Sequence, residues 1–278
     1  MTKWASRLMI YDFEEGQAFP VLETDMVIAA PNWTPDGSAL IVNGGGNLFW
    51  VDLEAPELLE IDTGLCIQLN NDHGITPDGE TLLFSDHTFG EGAVIWRQSL
   101  SAEEADPERV TAHSPSWFHG ISPDGQVVCY TAVREGLFGI YTCDLDGGHE
   151  TCVIEGAHHY DGPDFSADGE MIWFNSDRTG ASELWRVRRD GSGLERMTQD
   201  AMVNWFPHPS PTGDRVIYMA YQEGVVGHPP NMHVSLRLWQ GKDQLPKTLM
   251  SFTGGQGTIN APSWSPDGVA FAYVEYAA

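Results

Sequence analysis

Near the C-terminus the chain reads Trp264-Ser-Pro-Asp-Gly268, and five upstream stretches repeat it. They are Trp33-Thr-Pro-Asp-Gly37, Ile75-Thr-Pro-Asp-Gly79, Ile121-Ser-Pro-Asp-Gly125, Phe165-Ser-Ala-Asp-Gly169 and Pro209-Ser-Pro-Thr-Gly213. The fourth residues lie at 36, 78, 124, 168, 212 and 267, giving steps of 42, 46, 44, 44 and 55 residues. Each stretch is a tight turn: Pro presets φ, Asp bonds the backbone ahead of it, and Gly takes the positive φ. An apolar strand follows every turn, for example Ala39-Leu-Ile-Val42 and Met171-Ile-Trp-Phe174. A second alternating strand comes next, as in Leu48-Phe-Trp-Val51 and Leu184-Trp-Arg-Val187. A period of about 40–50 residues with four short strands per unit predicts an all-β propeller.

The phase of the repeat predicts how the fold closes. The chain ends with two strands of a blade, Pro262–Ser265 and Val269–Glu275. It begins with two more, Arg7–Asp12 and Phe19–Glu23, which complete the same blade. Six turns then give six four-stranded blades with no stray edge. A length of 278 residues suggests two domains on average. The repeat leaves no room for a second, so one six-bladed domain over 1–278 is expected.

Composition agrees with many strands and tight turns: 41% hydrophobic, with Gly 30, Pro 17 and Trp 10. The charge is −26, from 14 Lys and Arg against 40 Asp and Glu. That field repels phosphate backbones and anionic lipid, which argues against nucleic-acid and membrane partners. No apolar run of about 18 residues exists to span a bilayer. The N-terminus shows no apolar leader core, so a cytoplasmic location is expected. Cys66, Cys129, Cys143 and Cys152 form no Cys-x-x-Cys pair and are expected to be reduced, buried thiols.

The whole chain resembles the TolB-like six-bladed propellers, most clearly at Asp177-Arg-Thr-Gly180 followed by Glu183-Leu-Trp185. Asp72-His-Gly-Ile-Thr-Pro-Asp-Gly79, Gly162-Pro-Asp-Phe-Ser166, Trp205-Phe-Pro-His-Pro-Ser-Pro211 and Gly254-Gly-Gln-Gly-Thr258 look like one bacterial subfamily of uncharacterised propellers. The resemblance implies the fold and leaves the activity open. More distantly the repeat resembles oligogalacturonate lyases, propellers that use histidine-bound manganese. None of their ligands transfers residue by residue.

The loops entering the innermost strands are polar or aromatic, and loops on that face are the usual ligand loops. Three residues before each turn's Ser or Thr stand Pro31, His73, His119, Pro163, Pro207 and Pro262. His208 lies one step later in the fifth repeat, and His228 follows its second strand. These four histidines are the expected ligands of a divalent metal such as manganese or zinc, since imidazole nitrogens suit such ions. A hydrogen-bonded structural role is the bland alternative for each. Asp161 and Asp164 flank Gly162-Pro163, and with His159 they are the candidate proton-transfer groups. Trp117 and Trp205 either stack on a sugar ring or cap the core. Arg134, Arg178, Gln256 and Asn260 complete the candidate substrate contacts, although Arg178 also fits a structural pairing between strands. The five turn aspartates are structural. Gly44-Gly-Gly46 is a hairpin, not a phosphate loop, because no Lys-Ser/Thr follows it. The absence of a Gly-x-Ser-x-Gly elbow excludes the serine-peptidase relatives.

These observations predict a carbohydrate-active lyase or hydrolase acting on a short sugar or glycoside at a channel mouth, assisted by the metal. The alternatives are a non-enzymatic propeller that binds a protein or small molecule through the same face, and a pure scaffold.

Overall fold

The computed structural model describes residues 5–102 and 104–277. It is all-β, with no helix among the described residues, and its six antiparallel sheets are the blades of a six-bladed propeller fold. The chain divides into two compact units, residues 1–118 with 256–278, and residues 119–255.

The first unit holds three blades. One contains β1 (Ser6–Asp12) and β2 (Gln17–Thr24), the next β3 (Ile28–Trp33), β4 (Ala39–Gly44), β5 (Asn47–Asp52) and β6 (Leu59–Ile61). The third contains β7 (Leu69–Ile75), β8 (Thr81–Asp86), β9 (Val94–Ser99) and β10 (Glu108–Arg109). In the second unit β11 (Ser116–Ile121), which starts just before the boundary, joins β12 (Val127–Arg134), β13 (Leu137–Asp144) and β14 (Thr151–Gly156). β15 (Tyr160–Phe165), β16 (Met171–Ser176), β17 (Glu183–Arg188) and β18 (Glu195–Arg196) form the fifth sheet. β19 (Val203–Pro209), β20 (Val216–Tyr221), β21 (Met232–Trp239) and β22 (Lys247–Gly254) form the sixth. The last strand, β23 (Ala270–Tyr276), returns to the first unit.

The expected closure is present. β1 pairs antiparallel with β23 from Ser6 opposite Tyr276 to Asp12 opposite Ala270, and β2 lies outside β1. The fourth position of this blade is irregular. Segment 262–265 reaches β23 through one bridge, Trp264 to Phe271, and through the Ala272 N–H to the Ser263 carbonyl at 2.8 Å.

The turns are built as their chemistry dictates. In the first, the Thr34 hydroxyl donates to Asp36 at 2.6 Å, and the Gly37 N–H donates to the Thr34 carbonyl at 3.0 Å. Gly37 sits at φ +75°. Where the fifth repeat replaces Asp by Thr212, Asp214 takes over and accepts from Ser210 and Thr212. The apolar strands bury both faces. On β16, Ile172 and Phe174 enter one core with Cys129, Tyr160 and Trp185, while Trp173 enters the next with Leu184, Val216 and Tyr218. Alternation at period two explains why these strands read as continuous hydrophobic runs. Each such side chain, fully buried, contributes about 1.5–3 kcal/mol. Cys66, Cys129 and Cys143 are free and buried as expected, whereas Cys152 is exposed because β14 is an outer strand.

Nothing in the sequence pattern signals the bulges in the first strands of the blades. β3, β7, β15 and β19 each slip register, between Ala29 and Asn32, Leu69 and His73, Asp161 and Asp164, and Trp205 and His208. Ala30, Gly162 and Phe206 adopt φ of +53°, +56° and +54° there. A bulge re-aims neighbouring side chains, and its freed amide needs an acceptor. Within the second unit, Asn175 of β16 supplies one to Phe206 N–H at 3.0 Å.

Candidate functional site

The bulge in β15 places Asp161 among three imidazoles of the second unit. His119 Nε2 lies 3.1 Å from Asp161 Oδ1, while His228 Nε2 and His159 Nε2 lie 3.6 and 4.0 Å from Oδ2. Oδ1 also accepts from the Thr131 hydroxyl at 3.1 Å and the Gly162 N–H at 2.8 Å. An ionised carboxylate only accepts, so His119 carries its proton on Nε2. The Asp161 side chain is 13% exposed. Burial works to raise its pKa, but the His119 hydrogen bond and the charges of His119, His159 and His228 outweigh it. The carboxyl is held well below the usual range.

Asp164, three residues on, is shifted the other way. Burial pushes its carboxyl up, and the His208 hydrogen bond offsets only part of this. His208 Nδ1 lies 3.0 Å from Oδ2, and the Phe165 N–H donates to Oδ1 at 2.8 Å. Both side chains are buried.

Aromatic rings brace the imidazoles. His228 packs against Trp205 and Phe206 with centroids 4.4 and 5.2 Å apart, and His159 against Phe138 and Trp205 at 4.6 and 5.6 Å. His159, His228 and Trp205 face a cleft of about 600 Å³, within the size range of small-molecule sites. The loop from Glu223 to Gly227, whose Val226 is 91% exposed, also lines it. Asp177 also lines the cleft and accepts the His159 main-chain N–H at 2.9 Å. Trp205 is 4% exposed, and its indole N–H finds no partner among the described residues.

The expected site residues are therefore divided. Asp161, His119, His159 and His228 come together, with Trp205 beside them. Trp205 acts as a wall and brace, because its ring is buried between His159 and His228. Asp164 and His208 form a separate buried pair and do not line the cleft. Arg134 is held by Glu150 at 2.9 Å and lies over the Tyr141 ring at 5.2 Å. Arg178 lies over the Trp185 ring at 5.0 Å, in keeping with its structural alternative. In the first unit, Trp117 is half-buried, and Asn260 is buried with its side-chain Oδ1 accepting the Gly257 N–H at 2.7 Å. Gln256 accepts the Tyr276 hydroxyl on its main-chain carbonyl at 3.3 Å.

The four-histidine metal set of His73, His119, His208 and His228 does not fit the geometry. Among the described residues no group of three or more His, Cys, Asp or Glu side chains is arranged to hold a metal ion. Three of the four each turn one ring nitrogen to a different acceptor. His73 lies fully buried in the first unit with Nε2 at 3.3 Å from the Ile41 carbonyl. Burial pushes it down to about 4 despite the Ile41 and Ala30 carbonyls. His119 and His208 are spent on Asp161 and Asp164.

Sequence reasoning did not assign a role to Asp177, Glu223 or Thr131. The first two sit in loops after second strands on the face it singled out. Thr131 carries no motif at all.

Comparison with known proteins places the chain in a family. Residues 109–245 match the TolB beta propeller domain model. The chain is 42% identical over 273 residues to an uncharacterised protein of Agrobacterium fabrum, covering 98% of this chain and 92% of that one. A solved structure of a TolB-like protein from Agrobacterium tumefaciens superposes with a TM-score of 0.96 at 41% identity, covering all of both chains. The Tol-Pal system protein TolB of Francisella tularensis subsp. mediasiatica is 27% identical over 93% of this chain, which spans 59% of its length. Oligogalacturonate lyase in complex with manganese shares the fold, with a TM-score of 0.61, 16% identity, and coverage of 96% of this chain and 78% of that one. The chain thus belongs to the TolB-like β-propeller family.

Proposed function

We propose that the cleft of the second unit binds a short sugar or glycoside and hydrolyses it by acid–base catalysis. The observation that carries this reading is one buried carboxylate facing three imidazoles, two of which line a cleft of small-molecule size. Pairs of titratable groups with contrasting environments are a mark of functional sites.

Asp161 orients the imidazoles and stabilises whichever becomes cationic, the role of the carboxylate in an Asp–His pair. Its own basicity is too low for it to take the proton. His159 and His228 are the proton carriers. Their Nε2 atoms stand 4.0 and 3.6 Å from Oδ2, longer than a direct hydrogen bond, and both rings line the cleft. In the hydrolytic step one protonated imidazole gives its proton to the glycosidic oxygen as the C–O bond breaks. The other takes a proton from the water that bonds to the anomeric carbon. Val225 and Val226 supply apolar surface for a sugar face.

The test is release of new reducing ends from a panel of short oligosaccharides. His159→Gln and His228→Gln should each lower the rate about 10²-fold or more while the folded melt persists. Cleavage that survives both substitutions would overturn the assignment. Binding without cleavage would leave a sugar-binding module.

A further inference from the structure

We propose that the first unit carries a protein-docking strip on the loops leading into β3 and β7, and that its partner is a basic polypeptide segment anchored by apolar side chains. The inference stands on residues of the first unit alone and is independent of the sugar-cleaving reading.

Five of the ten exposed large apolar side chains among the described residues stand in these two loops and one neighbouring hairpin. They are Met26, Val27, Leu65, Ile67 and Phe89, with Val27, Leu65 and Ile67 exposed by 61, 76 and 59%. Single exposed apolar residues are ordinary, whereas a contiguous patch marks an interaction site. Contiguity here follows from the backbone. Ile28 pairs with Gly44 and Leu69 with Asp86, so loops 25–27 and 62–68 and hairpins 44–47 and 87–93 sit at the same end of their blades. The Leu69 N–H donates to the Gly46 carbonyl at 3.0 Å, which joins the two blades there. The Ile67 N–H donates to the Thr88 hydroxyl, one residue from Phe89, at 2.9 Å. Gly44-Gly45-Gly46 lies between the apolar residues and puts no side chain there. A Cβ on Gly44 would stand 3.0 Å from Met26 Sδ, and one on Gly46 2.7 Å from the Ile67 carbonyl oxygen. The hairpin thus leaves bare backbone between Met26 and Ile67.

Charge selects the partner. The first unit holds 4 Lys and Arg against 22 Asp and Glu, a net of −18, and the second holds 10 against 18, a net of −8. More than two-thirds of the net charge therefore belongs to the unit that carries the strip. The strip's own loops and hairpins hold Asp25, Asp62 and Glu91 and no Lys or Arg. The unit's three arginines are already paired: Arg7 with Glu23, Arg97 with Glu108 and Arg109 with Glu91. A basic segment is drawn in by this field and sets its apolar side chains on the strip, whereas an acidic one is repelled. A second copy would bring the same −18 unit against its own like charge.

The experiment compares three labelled peptides of equal length by fluorescence anisotropy at about 0.15 M salt, where the Debye length is roughly 8 Å. They are built from Lys and Leu, from Lys and Ser, and from Glu and Leu. The Lys/Leu peptide should bind about tenfold or more tighter than Lys/Ser, since burying one such side chain is worth about that factor. The Glu/Leu peptide should not bind. The Val27→Ser/Leu65→Ser/Ile67→Ser variant should lose the Lys/Leu advantage. Leu245→Ser, at a leucine 94% exposed in the second unit, should keep it. The replaced side chains are exposed, so the triple variant should fold, and a melt checks it. Asp25→Asn/Asp62→Asn keeps an oxygen for the Gly64 N–H. It should weaken Lys/Leu binding about threefold, the worth of two exposed ion pairs, without moving the melt. Lys/Ser binding as tightly as Lys/Leu, or full binding by the triple variant, overturns the proposal. So does a dimer in sedimentation velocity that the triple variant dissolves, because a second copy would then fill the strip.

Discussion

Replacing Asp161 separates its charge from its hydrogen bonds. Oδ1 accepts from His119, Thr131 and the Gly162 N–H. Asp161→Asn retains an oxygen for these donors but removes the charge. Hydrogen bonds to charged groups contribute about 1.5–3 kcal/mol and neutral ones about 0.5–1.5, so the loss is about 1–2 kcal/mol. Asp161→Ala removes the acceptor altogether and strands buried donors, at about 3–5 kcal/mol by analogy with broken buried pairs. Domains of 150–250 residues lose about 2–4 °C of Tm per kcal/mol. The Asn variant should melt about 2–8 °C lower at pH 7, and the Ala variant lower still. The pH dependence has a fixed sign. The Asp161 carboxyl titrates below its unfolded value, so its stabilisation is present above about pH 4 and is lost as pH falls through the folded value. The gap between wild type and Asp161→Asn should therefore narrow on acidification. Circular-dichroism melts from pH 7 to pH 3 measure it. An Asn variant as stable as wild type at pH 7, or a gap that widens in acid, would refute the reasoning.

Two further outcomes test the frame around the site. Gly162→Ala should cost about 2–5 kcal/mol, from roughly 1–2 for a left-handed alanine and about 1–3 for overpacking. Its φ is +56°, and a Cβ there would lie 2.8 Å from the Phe206 ring; urea denaturation with an unchanged midpoint would contradict this. Removing residues 1–24 strips β23 of β1 along its whole length and exposes the site of Leu8 and Ile10. Those two side chains alone are worth about 3–6 kcal/mol against a typical total of about 5–15, so cooperative melting should vanish; a native-like transition would contradict the closure.

The sequence alone determined the all-β class, the six repeats and the closing blade. Turn chemistry and period-two burial are local properties, written in residues a few places apart. Pro-Asp-Gly specifies its turn wherever it stands. The sequence also picked out His119, Asp161, His159 and His228 as polar residues in entry loops or the loops after second strands. It could not pair them, since some partners lie about 40 residues or more apart and the bulges in β15 and β19 reset which way each side chain points. One register slip gave Asp161 to His119 and Asp164 to His208. The same two carboxylates, alike on paper, then acquired opposite shifts from their surroundings. Sequence position placed His73 and His119 at equivalent slots, but among the described residues no group of three or more His, Cys, Asp or Glu side chains is arranged to hold a metal ion. Equivalent positions in a repeat fix where a backbone enters, whereas a nitrogen's bond depends on the nearest acceptor after packing, be it a carbonyl for His73 or a carboxylate for His119.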